Sequence, residues 1–216
     1  MARAKLCGIT NLDDARMCAD AGAWALGMIF WPGTPRRIEV EEAERIGSEL
    51  RRRVELAGVF VNAELDEVAE LVDVCNLSIV QLHGEEGPAY CAEIARRTGA
   101  KIAKAVRAKD KASVRALMAY RDRVDFHMVD AYRPDVRSGT GETFSWDLLD
   151  EIGDSSHPLI LSGGLTPDNV GEAIARVHPF AVDTASGTEA EPGRKDPAKV
   201  TAFMRAVEHA TQAEAA

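Results

Sequence analysis

The chain has 216 residues, 46% of them hydrophobic, enough for one sizeable core and too few for two ordinary domains with separate cores. With 35 Asp and Glu against 26 Lys and Arg, its net charge of -9 repels nucleic acid and anionic membranes, so neither is an expected partner. No apolar run reaches the ~18 residues of a membrane span, and Met-Ala-Arg-Ala-Lys leads straight into a strand-like segment rather than a signal-peptide core; the chain reads as cytoplasmic. Cys7, Cys18, Cys75 and Cys91 lie far apart without metal-ligand spacing, which argues for reduced thiols and against a disulfide framework or a zinc site.

Taken in chain order, short apolar segments predict strands at Ala4 to Cys7, Trp24 to Phe30, Glu55 to Val61, Leu77 to Leu82, Lys101 to Val106, Val124 to Asp130, Pro158 to Ser162 and Phe180 to Thr184. Helical stripes lie between and after them. Leu65, Val68, Ala69 and Val72 share one face, as do Val170, Ala173, Ile174 and Val177, and Val200, Phe203, Met204 and Val207. Asn11 and Asp196 are expected N-caps, and Thr166 is another, with Pro167 at the first helical position. Loop composition is confined to Trp31 to Arg37, Tyr132 to Thr143 and Ser186 to Lys195, all after strands, and residues 211–216 read as a frayed tail.

Strand-helix alternation demands parallel pairing with right-handed crossovers. Eight such units of roughly 27 residues predict a single-domain α/β protein, a closed (β/α)8 TIM barrel spanning residues 1–216. The open doubly wound sheet is the rival, but Cys7-Gly8-Ile9-Thr10 lacks its glycine fingerprint.

Barrels of this kind place their active sites at the C-terminal ends of the strands, where this sequence puts Cys7, Asn62, Gln81, His83, Asp130, Ser162 and Asp183, with Arg36 in the loop after the second strand. Ser162-Gly163-Gly164-Leu165 and Asp183-Thr184-Ala185-Ser186-Gly187 follow the last two strands. Backbone N–H groups of glycine loops in those positions suit a phosphate monoester. Asp130 ends an apolar strand, so its carboxyl suits a proton donor, or else a cap for the next loop. Cys7 shares a strand face with Lys5, whose ammonium favours thiolate; the alternative is a core cysteine. Gly8 lets the chain turn and leaves room for a ligand. The prolines around Arg36 limit its freedom, which suits a guanidinium that grips a carboxylate. Trp31 either covers an aromatic ring of the ligand or packs under its own loop. His83 has no second histidine at ligand spacing and reads as a hydrogen-bonding pocket residue.

At these residues the sequence resembles the phosphoribosylanthranilate isomerase family. The likeness rests on Lys5-Leu-Cys-Gly-Ile-Thr10, Thr34-Pro-Arg36, Gly58-Val-Phe-Val-Asn62, Val80-Gln-Leu-His-Gly84, Val129-Asp-Ala131, Gly139-Thr-Gly-Glu-Thr-Phe144, Ser162-Gly-Gly-Leu165, Val182-Asp183 and Ser186-Gly-Thr-Glu189, in that order. It implies a cofactor-free and metal-free Amadori rearrangement of N-(5'-phosphoribosyl)anthranilate in tryptophan biosynthesis. By motif, Cys7 would be the general base and Asp130 the general acid. The resemblance also implies Arg36 on the anthranilate carboxylate, and a phosphate on the backbone around Gly163, Gly164, Ser186 and Gly187; His83 and Asp183 at their strand ends complete the expected substrate-binding set. Thr34, Met28 and Thr184-Ala185 depart from the family's commoner residues, and Ala185 lacks a hydroxyl.

Three other readings stand beside this one. A bifunctional histidine- and tryptophan-pathway phosphosugar isomerase resembles this chain but uses aspartate where Cys7 stands. A metal-dependent epimerase would need strand-end His and Asp pairs. A non-catalytic phosphometabolite-binding barrel would have no use for both Cys7 and Asp130. The expected partner is a small phosphorylated substrate, and both monomer and homodimer fit a barrel of this size.

Overall fold

The structure, a computed structural model, describes residues 2–131 and 157–214. Its main-chain frame is a ring of eight parallel strands: β1 (Arg3–Cys7), β2 (Ala25–Ile29), β3 (Glu55–Phe60), β4 (Ile79–Leu82), β5 (Lys101–Ala108), β6 (Phe126–Ala131), β7 (Leu159–Ser162) and β8 (Ala181–Thr184). Each strand pairs with the next, and β8 returns to β1, closing the barrel. All eight predicted strands are present, with ends moved by one or two residues.

Helices α1 (Leu12–Asp20), α2 (Val40–Leu50), α3 (Leu65–Val74), α4 (Pro88–Thr98), α5 (Lys111–Arg115), α6 (Val170–Val177) and α7 (Pro197–Glu214) accompany the ring. Their apolar stripes bury as the periodicity requires: Val68 and Val72 on α3, Val170, Ala173 and Ile174 on α6, and Val200, Phe203 and Val207 on α7. Asn11 caps α1 by accepting from the N–H of Asp14, and Asp196 accepts from the N–H groups of Ala198 and Lys199 at the start of α7.

Three expectations are corrected. Residues 166–169 form a turn, with Asn169 Oδ1 accepting from the N–H of Thr166, so α6 starts at Val170 and Asn169, not Thr166, is its N-cap residue. The segment after β8 is not a plain loop: a 3-10 turn, Ser186–Thr188, leads into a hairpin of β9 (Glu189–Glu191) and β10 (Arg194–Lys195). Finally, α7 runs on through Glu214, with Thr211 buried and its hydroxyl donating to the Val207 carbonyl, so residues 211–214 are helical rather than frayed. The loop Tyr132 to Thr143 and the motif Gly139 to Phe144 lie outside the described residues.

Because side chains alternate along a strand, the ring carries two apolar faces. The inner one collects Ala25, Ala57, Ile79, Ala103, Ala105, Phe126, Met128, Ile160 and Ala181. Trp24 packs edge-on against Phe126 and Phe180, with ring centroids 5.7 and 5.4 Å apart, and plugs the N-terminal end. The outer face joins the helices in a second, larger core. Met28 belongs to that outer core, so its departure from the family pattern lies behind the sheet and not in the mouth. Among the described residues, no helix is long and apolar enough to cross a membrane.

Candidate active site at the mouth of the barrel

With the N-terminal end filled by aromatic rings, the polar inward-facing side chains gather toward the other end. Lys5 and Cys7 alternate with outward Leu6 on β1, and the parallel register sets Lys5 against Asp183 on β8. Lys5 Nζ donates to Asp183 Oδ1 at 2.7 Å, and Ser162 Oγ from the end of β7 donates to Asp183 Oδ2 at 2.9 Å. Both oxygens of Asp183 are thus engaged by the protein, and the residue is only 4% exposed. Its carboxylate braces Lys5.

Cys7 is buried at the end of β1. Burial is the main influence on its thiol and raises its pKa above the ordinary 9.0; the Lys5 ammonium and Lys195 oppose that rise, while Asp183 adds to it. Cys18, Cys75 and Cys91 are buried on or at the end of helices, and burial likewise pushes their thiols up, to about 12, 11 and 11. They are core residues.

Gly8 follows with φ +79°, a backbone form that glycine adopts without strain. A Cβ here would lie 3.0 Å from Arg36 Cδ and 3.1 Å from Glu189 Oε1, so the space beside Gly8 holds an ion pair rather than only a ligand. Arg36 Nε donates to Glu189 Oε1 at 2.8 Å and Nη2 to Glu189 Oε2 at 2.7 Å. This fork is made within the protein, and the hydrogen bonds that Arg36 donates to Glu189 raise its pKa. Trp31 is 41% exposed, with its ring lying against Gly33 of its own loop.

Across the ring, Asp130 closes β6 and His83 follows β4. His83 Nε2 stands 3.5 Å from Asp130 Oδ2, and among the described residues it has no hydrogen-bond partner; Gln81 Oε1 on the same strand is likewise buried and unpaired. Glu86 shapes this side: it accepts from the N–H groups of Asn62 and Gly84 and from Lys104 Nζ, tying the segments after β3 and β4 to the middle of β5.

The loops after β7 and β8 form the third side. Gly163 and Gly164 have φ of +104° and +63°, so the chain reverses through two residues in the left-handed region. A side chain on Gly187 would collide with the Leu165 carbonyl, which Thr184 Oγ1 meets at 2.7 Å; the two loops are in backbone contact. Lys195 Nζ donates to the carbonyls of Cys7 and Ala185 and to Thr188 Oγ1, joining the Cys7 strand to the Ser186–Thr188 turn. Burial of Lys195 lowers its pKa against the raising influence of Glu189.

Cys7, Arg36, His83, Asp130 and the glycine loops therefore border one end of the barrel. Sequence reasoning missed Glu189 and Lys195 as shapers of that end. Their partners Arg36 and Cys7 lie 153 and 188 residues away in the chain. Only the strand order brings them together.

A closed parallel barrel whose polar side chains converge at the C-terminal strand ends has the architecture of the (β/α)8-barrel enzymes. The family model of N-(5'-phosphoribosyl)anthranilate isomerase matches residues 4–206. The N-(5'-phosphoribosyl)anthranilate isomerase of Citrifermentans bemidjiense is 48% identical over 200 residues, covering 93% of this chain and 94% of that protein. Among solved structures, phosphoribosylanthranilate isomerase from Thermotoga maritima superposes with a TM-score of 0.88 at 40% identity, covering 97% of this chain and 100% of the other. A phosphoribosylanthranilate isomerase in complex with reduced 1-(o-carboxyphenylamino)-1-deoxyribulose 5-phosphate gives 0.86 at 39% identity, with 97% and 100% covered. The chain belongs to the N-(5'-phosphoribosyl)anthranilate isomerase family.

Proposed function

We propose that this protein isomerises N-(5'-phosphoribosyl)anthranilate to 1-(2-carboxyphenylamino)-1-deoxyribulose 5-phosphate, an Amadori rearrangement of tryptophan biosynthesis, with Asp130 as general acid and Cys7 as general base. The observation that carries the reading is the position of these two groups: they close β1 and β6, strands three apart in the closed ring, and so approach one mouth from nearly opposite sides.

In this reading Asp130 donates a proton to the furanose ring oxygen as the bond from that oxygen to C1' breaks, leaving a protonated imine to the anthranilate nitrogen. Cys7 then takes the proton from C2', and the electron pair of that C–H bond forms the enolamine, whose tautomer is the ketose product. Each positioned proton transfer supplies roughly 10²- to 10⁴-fold. His83, 3.5 Å from Asp130, lines the acid's side of the pocket. The two anionic ends of the substrate fix the reacting carbons between them. Arg36, its Nε–Nη2 edge held by Glu189, offers Nη1 to the anthranilate carboxylate. The backbone around Gly163, Gly164, Ser186 and Gly187 takes the phosphate, where the left-handed glycines and the start of the 3-10 turn present N–H groups. No direct contact between Asp183 and substrate is needed, since its two oxygens serve Lys5 and Ser162.

The test is turnover. Purified protein given freshly prepared substrate should abolish the fluorescence of its anthranilate moiety, and the gene should restore growth to a tryptophan auxotroph lacking this step. A folded protein that does neither contradicts the proposal. A non-catalytic phosphometabolite binder would retain affinity for the product analogue without turnover.

A further inference from the structure

Lys5 is one of the largest completely enclosed side chains in the protein, at 1% exposure. A buried ammonium costs several kcal/mol unless it is paired and hydrogen-bonded, so its position calls for an explanation. The Asp183 carboxylate answers for one donor at 2.7 Å, and the Cys7 thiol lies on the same face of the strand as the ammonium. Gly27 on the neighbouring strand leaves room for both groups. A Cβ at that position would stand 2.6 Å from Cys7 Sγ and 2.9 Å from Lys5 Nζ, so the missing side chain leaves a notch that both the sulfur and the ammonium border. An ion pair serving the fold alone would need neither the thiol nor the notch.

We propose that Lys5 is a positioning residue for the isomerisation: braced by Asp183 and Ser162, its ammonium holds the Cys7 sulfur in the mouth and supplies the positive charge that stabilises the thiolate. The inference rests on the reading of Cys7 as the base. The proton taken from C2' ends on Sγ, while Lys5 keeps its own proton throughout. Burial disfavours the charge on Lys5, yet Asp183 and Cys7 hold its pKa above the ordinary 10.5, which keeps the ammonium charged. The other charged groups that bear on the sulfur are Lys195 from β10 and Arg36 from the loop after β2, which favour the thiolate, and Asp183 from β8, which opposes it. Glu189 neutralises much of the Arg36 charge. That leaves Lys5, which borders Gly27 together with the sulfur, as the cation that weighs most on Cys7.

The test is an ultraviolet titration of the thiolate, taken as the difference between each protein and its Cys7→Ser counterpart so that the other three cysteines cancel. Lys5→Met keeps the side-chain length and removes the charge; Lys5→Met with Asp183→Asn also removes the carboxylate that would otherwise be left buried and unpaired. The Cys7 midpoint should rise by roughly 1–3 pH units in Lys5→Met and by less in the double variant, with the pH profile of kcat/KM moving the same way. If Lys5→Met does not fold, the double variant decides. A folded variant that lacks Lys5 and titrates at or below the parent midpoint overturns the proposal, since a merely structural lysine would leave the titration in place. That failure is separate from failure of the base assignment: full turnover in Cys7→Ala would remove Cys7 from the chemistry while leaving its coupling to Lys5 measurable.

Discussion

Arg36 and Glu189 face each other in a two-bonded fork beside Gly8, with Glu189 buried and Arg36 partly open to the mouth. The guanidinium is therefore oriented before any ligand arrives, and its rotamer freedom is already lost. Arg36→Ala should act mainly on substrate affinity. Glu189→Gln, which keeps the shape and removes the charge, should raise KM by roughly 10- to 100-fold, the range for losing a hydrogen bond to a charged group, with a smaller change in kcat. Steady-state kinetics on both variants check this; an unchanged KM in Glu189→Gln would leave the fork without a role in binding.

Asp130→Asn keeps the size of the side chain and removes its capacity to donate a proton as a carboxylic acid. It should lower kcat by roughly 10²- to 10⁴-fold with little change in KM. If KM rises instead and kcat holds, Asp130 binds substrate and another group opens the ring.

The pH dependence follows from Cys7. Burial sets its thiol above 9.0 in the free protein, so at neutral pH nearly all of it is protonated. The base fraction grows tenfold per pH unit until the pH reaches the raised pKa. Measured kcat/KM should therefore have an alkaline-rising limb that extends past pH 9.0, and Cys7→Ala should lack it. A profile already flat above neutral pH would contradict this.

Glu86 predicts a stability effect at acid pH. Burial acts to raise its carboxyl, but hydrogen bonds from Lys104 and from the backbone N–H of Asn62 prevail and hold it below 4.5. A carboxyl lowered by folding stabilises the native state fully above its unfolded pKa and loses that contribution as pH falls through the folded value. The advantage of the parent over Glu86→Gln in urea should thus be complete above pH 4.5 and shrink below it. Lys104→Met, which leaves Glu86 buried without its cation, should cost about 3–5 kcal/mol at neutral pH.

The ring of strands was legible because strands buried on both faces read as short apolar runs, and because helical stripes separate most of them. Local signals also placed Cys7, Asp130 and the glycine pair at strand ends. What escaped has physical reasons. Glu189-Ala-Glu-Pro-Gly-Arg-Lys195 carries no apolar alternation, so its hairpin has no sequence signature. Thr166-Pro167 looks like the opening of a helix, yet Asn169 turns back to bond Thr166 and delays it. The room for a ligand expected beside Gly8 also holds Arg36 and Glu189, and the bonds of Asp183 to Lys5 and Ser162 join residues 178 and 21 positions apart. Each of these depends on side chains far apart in the chain, which periodicity does not report.

The most direct test is the turnover number of Cys7→Ala on freshly prepared N-(5'-phosphoribosyl)anthranilate, followed by fluorescence under saturating substrate. A fall of roughly 10²- to 10⁴-fold with KM close to the parent's is the predicted result. A kcat equal to the parent's would mean that the C2' proton leaves by another route, and the division of labour between the first and sixth strands would have to be abandoned.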